Sequence, residues 1–170
     1  SLRISLVARA TRLGYTNLAD YHSALERDEN EFNELLNLVT INETSFFRFP
    51  QQFDALRERV FPEIMAAKPS TNRVLRCWSA GCSTGEEPYS IAMMLVDMGL
   101  QGSGWKPQVL GTDVSTKALA HAKAGVYGKR AMMNVPADVV RRHFADAPNG
   151  GYRVTDGVRS RVDCGSTTLI

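Results

Sequence analysis

Long apolar runs are missing from these 170 residues, and no stretch approaches the length that a membrane-spanning helix needs. No signal-peptide pattern opens the chain, so it reads as cytoplasmic, with no membrane insertion. An excess of one charge is missing too: a formal net charge of +2 leaves nothing global to draw in nucleic acid or a membrane surface. The three cysteines, Cys77, Cys82 and Cys164, are odd in number and lack metal-ligand spacing, which favours reduced thiols and puts no metal site in view. The three histidines, His22, His121 and His143, fall on expected helices or their ends and read as surface or packing residues. There is no internal repeat and no low-complexity segment. What is present is a hydrophobic content of 44%, enough for a packed core in one moderate domain or two small ones.

The most informative stretch runs from Cys77 to Ser90. Arg73 to Trp78 reads as an apolar strand, and Glu86 onward reads as a helix with Ile91, Leu95 and Met98 near one face. Between them Ala80, Gly81, Ser83 and Gly85 keep the turn free of bulk, so a ligand can approach the backbone closely and helix amides can point at it. Pro88 fits a first helical turn, where amides lack intrahelical partners. Glu86 and Glu87 stand where a dinucleotide-binding fold places pyrophosphate, and an anion would be repelled there. The full G-x-G-x-x-G spacing and the P-loop lysine are both absent, which argues against NAD and nucleoside triphosphates. A cationic, phosphate-free ligand such as S-adenosylmethionine suits the two carboxylates; the alternative is that they only complement the helix dipole.

A second strand, Gln108 to Thr112, ends in Asp113, and a helix follows from Ser115 to Ala124, with Ser115 as N-cap and Gly125 as its stop. A carboxylate at the end of the second strand of such a βαβ unit accepts the ribose hydroxyls in doubly wound folds. An aspartate there also serves as a cap or turn former, but the glycine turn one unit earlier favours the ribose. On that reading Asp113→Ala weakens an adenosine cofactor and spares folding.

The chain divides near Pro69 to Asn72, a polar break after a helical region. Leu2, Leu6, Ala10 and Leu13 line an opening helix, Asn17 caps a second, and Phe32, Leu35, Leu36 and Val39 mark a third. Pro50 introduces a fourth, with Phe53, Leu56 and Val60 on its inner side. In the linker from Thr40 to Pro50, Phe46, Phe47 and Phe49 are expected to pack between domains. After a helix near Pro136 to His143, the turns at Asn149-Gly150-Gly151 and Asp156-Gly157 flank Tyr152 to Thr155 and Val158 to Cys164, suggesting a three-stranded antiparallel insert.

Three blocks together, Asn42-Glu43-Thr44-Ser45-Phe46-Phe47-Arg48, then Trp78 to Ser90, then Gly111-Thr112-Asp113, resemble the bacterial chemotaxis receptor glutamate methyltransferases of the CheR type in order and separation. The resemblance implies an α/β fold: a small all-helical N-terminal domain with its linker over 1–70, then the first part of a Rossmann-like class I methyltransferase domain over 71–170. The antiparallel β insert falls at about 144–164, and the chain is expected to begin within an early family helix and to stop short of the later sheet strands. It implies methyl transfer from S-adenosylmethionine, leaving S-adenosylhomocysteine, to glutamate side chains on cytoplasmic chemoreceptor helices. The cofactor would be held by Asn42, Thr44, Arg48, Ala80, Gly81, Glu87, Asp113, Thr168 and Leu169. Arg48 would also orient the incoming carboxylate with its planar fork. A basic helix carrying Arg3, Arg9 and Arg12 would dock the acidic receptor helices, and the edge of the insert would take a receptor C-terminal peptide by strand addition. The rival reading is a non-catalytic sensor or scaffold that binds the same cofactor.

Overall fold

The computed structural model describes residues 2–100 and 102–166. Three helices come first: α1 (Leu2–Arg12), α2 (Leu18–Leu25) and α3 (Glu29–Val39). Asn17 accepts from the Asp20 amide at 2.9 Å, and Asp28 accepts from Asn30 and Glu31, so both later helices start on side chains that satisfy orphan amides. Their shared core is small: Ala10, Tyr21 and Leu35 are buried, with Leu6, Tyr15, Leu25 and Val39 around them. Leu2 and Leu13, expected on the inner stripe of α1, are exposed, and Leu6, Arg9 and Ala10 make the contacts with the neighbouring helices.

A polar cluster completes that core. Arg9 is 8% exposed, and its Nε and Nη2 each donate to Glu31 at 2.6 Å, while the Tyr21 hydroxyl donates to Glu31 Oε1 at 2.6 Å. The expectation that Arg9 joins Arg3 and Arg12 on a docking face is therefore corrected. Helical spacing does put Arg9 and Arg12 on one side, but α3 covers that side at Arg9, and a guanidinium bonded there twice to one carboxylate is a packing element. Arg3 and Arg12 remain exposed.

The linker leads into α4 (Pro50–Ala55), a π-type turn over Leu56–Val60, and α5 (Phe61–Ala67). Pro62 explains the turn: it has no amide to donate to the carbonyl four residues back and its ring crowds that carbonyl, so the helix widens by one residue. The Phe61 amide bonds to Leu56, five residues back. In consequence Phe61 is buried, and Val60, expected on the inner face, is exposed.

The α/β part is β1 (Val74–Ala80), α6 (Glu86–Asp97), β2 (Lys106–Asp113) and α7 (Thr116–Ala124), then β3 (Val126–Tyr127), α8 (Ala137–His143), β4 (Phe144–Ala147), β5 (Gly151–Val154), α9 (Asp156–Arg159) and β6 (Val162–Ser166). Parallel pairing orders one sheet β1-β2-β6, and antiparallel pairing orders a second β3-β5-β4. This corrects the expected insert. Its strands are drawn from 126–127, 144–147 and 151–154. The Asp156-Gly157 turn signal instead opens α9, which buries Val158 against the core. Val162–Ser166 leaves the insert altogether, pairing in parallel with β2 from Val109↔Val162 to Asp113↔Ser166.

Helix α6 is the centre of the larger core. Tyr89 and Ile91 to Leu95 are all buried, so it is covered nearly all round rather than along one stripe, as an interior helix must be. Phe46 packs edge-on against Tyr127 (4.8 Å) and Phe144 (5.2 Å), and Phe47 meets Phe53 at 5.3 Å. Phe49, the third aromatic of the linker, is exposed. Phe47 adopts φ 50°, and its amide donates to Ser90 Oγ at 3.0 Å, which pins the kinked linker to α6. At the far end of α6, Asp97 takes both the buried His143 imidazole (2.8 Å) and a fork from Arg142 (3.1 and 3.3 Å), fixing α8.

Candidate functional site

The C-terminal ends of β1 and β2 create the site. Beyond Ala80, the amides of Gly81 and Cys82 both donate to the Thr112 carbonyl, at 2.8 and 2.9 Å, which folds the turn back onto β2. Gly81 has φ 72° and open space where a Cβ would stand, so its backbone is free to meet a ligand. Gly85 has φ 98°, and a Cβ there would lie 2.8 Å from Ala122 Cβ and 3.0 Å from the Tyr127 hydroxyl. Only glycine fits, and α6 starts hard against α7.

Asp113 sits beneath this turn, 8% exposed. Its Oδ2 accepts from the Ser83 amide at 2.7 Å and its Oδ1 from the Ser115 amide at 2.8 Å. The carboxylate therefore holds the turn and the start of α7 together, and each oxygen still has a lone pair in hand. Against the expectation that Asp113→Ala spares folding, loss of this acceptor for two buried amides is expected to cost stability. Ser83, at φ 50°, contributes a buried Oγ with no hydrogen-bond partner among the described residues. An orphan hydroxyl, an unobstructed glycine and a carboxylate with spare acceptor capacity suit a ligand rich in hydroxyl and amino groups.

The two glutamates that open α6 part company. Glu86 is 6% exposed and accepts from Thr84 Oγ1 at 2.6 Å. Glu87 is exposed and accepts from the buried Ser79 hydroxyl at 2.6 Å. Glu87 is thus a carboxylate aimed outward and oriented from below, at a helix N-terminus facing the turn. Ser79, which orients Glu87, is a candidate that sequence reasoning missed; the one signal was a small polar residue at the end of an apolar strand. Trp78, on the other face of β1, is 61% exposed and donates from Nε1 to Thr112 Oγ1 at 2.9 Å.

The linker closes over Glu87. A cavity of about 190 Å³ is lined by Thr44, Arg48, Phe53, Glu87 and Ile91, among others. Arg48 donates to the Glu43 carbonyl at 3.0 Å and lies 5.4 Å from the centre of the Phe49 ring, leaving guanidinium N–H groups for an acceptor in the cavity. Ser45, Arg48 and Phe53 also wall a second cleft of about 530 Å³ that runs along α6 toward α8. Of the candidate residues, then, Thr44, Arg48 and Glu87 share one cavity, while Ala80, Gly81 and Asp113 form the adjoining turn. Asn42 is exposed on the linker outside that lining. Thr168 and Leu169 lie outside the described residues.

Burial pushes the Cys77 thiol up to about 11 and that of Cys82 up to about 12, and raises Cys164 too, so all three stay protonated and unreactive near neutral pH. Among the described residues no three His, Cys, Asp or Glu side chains gather into a metal site, and no helix is long and apolar enough to cross a membrane.

Residues 42–170 match a protein family described as CheR methyltransferase, SAM binding domain. The chain is 30% identical over 167 residues to chemotaxis protein methyltransferase 2 of Vibrio cholerae, covering 98% of this chain and 56% of that protein. It is 34% identical over 171 residues to the chemotaxis protein methyltransferase of Escherichia coli, covering 97% and 56%. It is also 34% identical over 167 residues to the probable biofilm formation methyltransferase WspC of Pseudomonas aeruginosa, covering 95% and 38%. The chain thus spans about half the length, or less, of these curated relatives.

Proposed function

Because the chain belongs to the CheR methyltransferase family, whose S-adenosylmethionine-binding domain it matches over 42–170, we propose that it transfers the methyl group of S-adenosylmethionine to glutamate side chains of chemoreceptors. The observation that carries this is the meeting of the Glu87 carboxylate and the Arg48 guanidinium on one cavity, at the end of the glycine turn. A cationic methyl donor and an anionic methyl acceptor need that pair of opposite charges side by side.

The bound cofactor supplies an electrophilic methyl group on a sulfonium. The chain's residues do the rest. Glu87, oriented by Ser79, holds the ammonium of the methionine part. Asp113 accepts from the ribose hydroxyls with the lone pairs that Ser83 and Ser115 leave free, and Asn42 and Thr44 contribute from the linker. Arg48 aligns the acceptor carboxylate through parallel N–H bonds. That carboxylate is already ionised at neutral pH, so no general base is required, and positioning supplies most of the acceleration.

Glu87→Gln is expected to weaken S-adenosylhomocysteine binding by about 1–3 kcal/mol, the value of a hydrogen bond to a charged group, with little change in melting temperature since the side chain is exposed. Calorimetric titration checks this, and unchanged affinity returns Glu87 to a helix-dipole role. Arg48→Lys keeps the charge and loses the fork, so single-turnover methylation of receptor helices should fall well beyond any loss of cofactor affinity. Equal losses would confine Arg48 to the cofactor. Binding without any turnover by the unaltered protein would favour the sensor reading.

On this reading residues 1–70 form the helical domain with its linker, residues 71–170 belong to a class I-like methyltransferase domain, and the protein works in the cytoplasm. The docking charge on the helical part reduces to Arg3 and Arg12. For a receptor C-terminal peptide the insert offers β4, which among the described residues pairs only with β5 and carries the exposed residues Ala145 and Asp146.

A further inference from the structure

Asn37 lies in α3, in the helical part, yet among the described residues its side-chain bonds all cross to the start of α7. Its Oδ1 accepts from Ser115 Oγ at 2.9 Å and from the Lys117 amide at 3.2 Å, and its Nδ2 donates to Thr116 Oγ1 at 3.1 Å. The amide orientation is fixed by chemistry, since a backbone N–H can only donate and the atom facing Lys117 must be the oxygen. Ser115 is fully buried. Its hydroxyl accepts from Ala118 at 3.1 Å as the N-cap of α7, while its amide donates to Asp113 Oδ1 at 2.8 Å. One residue thus carries both the helix cap and half the grip on Asp113, and Asn37 supplies the acceptor toward which its hydroxyl proton points. With that acceptor gone, the hydroxyl is free to turn and the backbone from 113 to 115 loses its lock.

We propose that Asn37 is a positioning residue: it ties the helical part to the α/β part through Ser115 and so sets the Asp113 carboxylate for the ribose of the cofactor. This rests on the reading of Asp113 given above. Asn37 touches no cofactor atom in this scheme; it lines a separate cavity with Arg12 and Lys117 on the far side of Ser115. Its effect must therefore pass through Asp113, and that dependence is measurable.

The test is a titration of the chain with S-adenosylhomocysteine in five forms: unaltered, Asn37→Leu, Asn37→Asp, Asp113→Asn, and Asn37→Leu with Asp113→Asn. Asp113→Asn is used because it keeps one acceptor for the two amides and is therefore expected to fold more readily than the alanine variant. Asn37→Leu should weaken binding about five- to tenfold, the effect of losing one or two neutral hydrogen bonds. Asn37→Asp keeps the acceptors at a helix N-terminus, where negative charge is welcome, and should bind within about twofold of the unaltered chain. On the Asp113→Asn background, Asn37→Leu should change affinity by less than about twofold, because residues acting through one network are not additive. Full affinity in Asn37→Leu beside weakened Asp113→Asn overturns the role of Asn37 alone, as do equal losses on both backgrounds. Undiminished affinity in Asp113→Asn removes the ribose reading and the proposal with it. Should the unaltered chain bind no S-adenosylhomocysteine, the cofactor reading fails, and amide exchange at Ser115 and Lys117 still tests the tie: unchanged exchange in Asn37→Leu overturns it.

Discussion

Asp113→Ala is expected to destabilise the folded chain by roughly 2–6 kcal/mol, because two buried amides, those of Ser83 and Ser115, lose their acceptor at about 1–3 kcal/mol each. The same change removes the carboxylate proposed to hold the ribose, so cofactor affinity falls as well. The two effects are separable. Urea unfolding without ligand reports the first, and S-adenosylhomocysteine titration at a temperature where the variant is folded reports the second. Asp113→Asn, which retains one acceptor oxygen, should recover part of the stability. If Asp113→Ala unfolds at the same urea concentration as the unaltered chain, the clamp described here does not hold the turn.

Arg9→Ala should cost about 3 kcal/mol, the low end for removing one partner of a buried ion pair, since Glu31 keeps an edge toward solvent. For a chain of this length that is a fall in melting temperature of about 6–12 °C. The pH dependence has a defined sign. Arg9 holds the Glu31 carboxyl below the usual range, helped by the Tyr21 hydroxyl and opposed by burial. A depressed carboxyl contributes stability above its unfolded value, near pH 4.3, and loses it as pH falls through the lower folded value. The gap between the unaltered chain and Arg9→Ala should therefore be full at neutral pH and narrow in acid. Tyr21 is pushed up to about 12 by burial and by its bond to Glu31, so its share persists at neutral pH and fades only in strong alkali, as pH rises from about 10 through the folded value. Melting curves from pH 2 to pH 8 decide it; a gap that stays constant into acid would mean that the pair is not the source of the stability.

Much of the frame was legible because local chemistry dictated it. Ser115 and Gly125 bound α7 as expected, one as N-cap and the other at φ 62°, because few other residues perform those tasks. The strand, turn and helix from Cys77 to Ser90 followed from small residues between two apolar patterns. What failed to show depended on partners distant in sequence. Nothing near Arg9 reveals that Glu31, on another helix, will capture it. Nothing in Val162 to Ser166 says whether it pairs with the insert or with β2, since alternating residues suit both sheets. The buried periphery of α6 was masked by Glu86 and Ser90, polar residues that find partners in Thr84 and in the backbone. In the site, local chemistry offered two adjacent glutamates and only the resemblance singled out Glu87; the fold turns Glu87 outward and Glu86 inward. The widened turn before α5 did leave a visible sign, in Pro62.

Gly85 also limits how this protein can vary. A side chain there meets both the Cβ and the Cα of Ala122, at 2.8 and 3.0 Å, so trimming the opposing residue would not make room. Positive φ adds strain for any other amino acid. Position 85 is thus held at glycine, and no single substitution there is accommodated without moving a helix. The gap between the start of α6 and the body of α7 becomes a fixed dimension of the molecule. Variation in ligand preference among its descendants has to arise elsewhere, on the linker and on the open face of β1, where the backbone leaves side chains room to change.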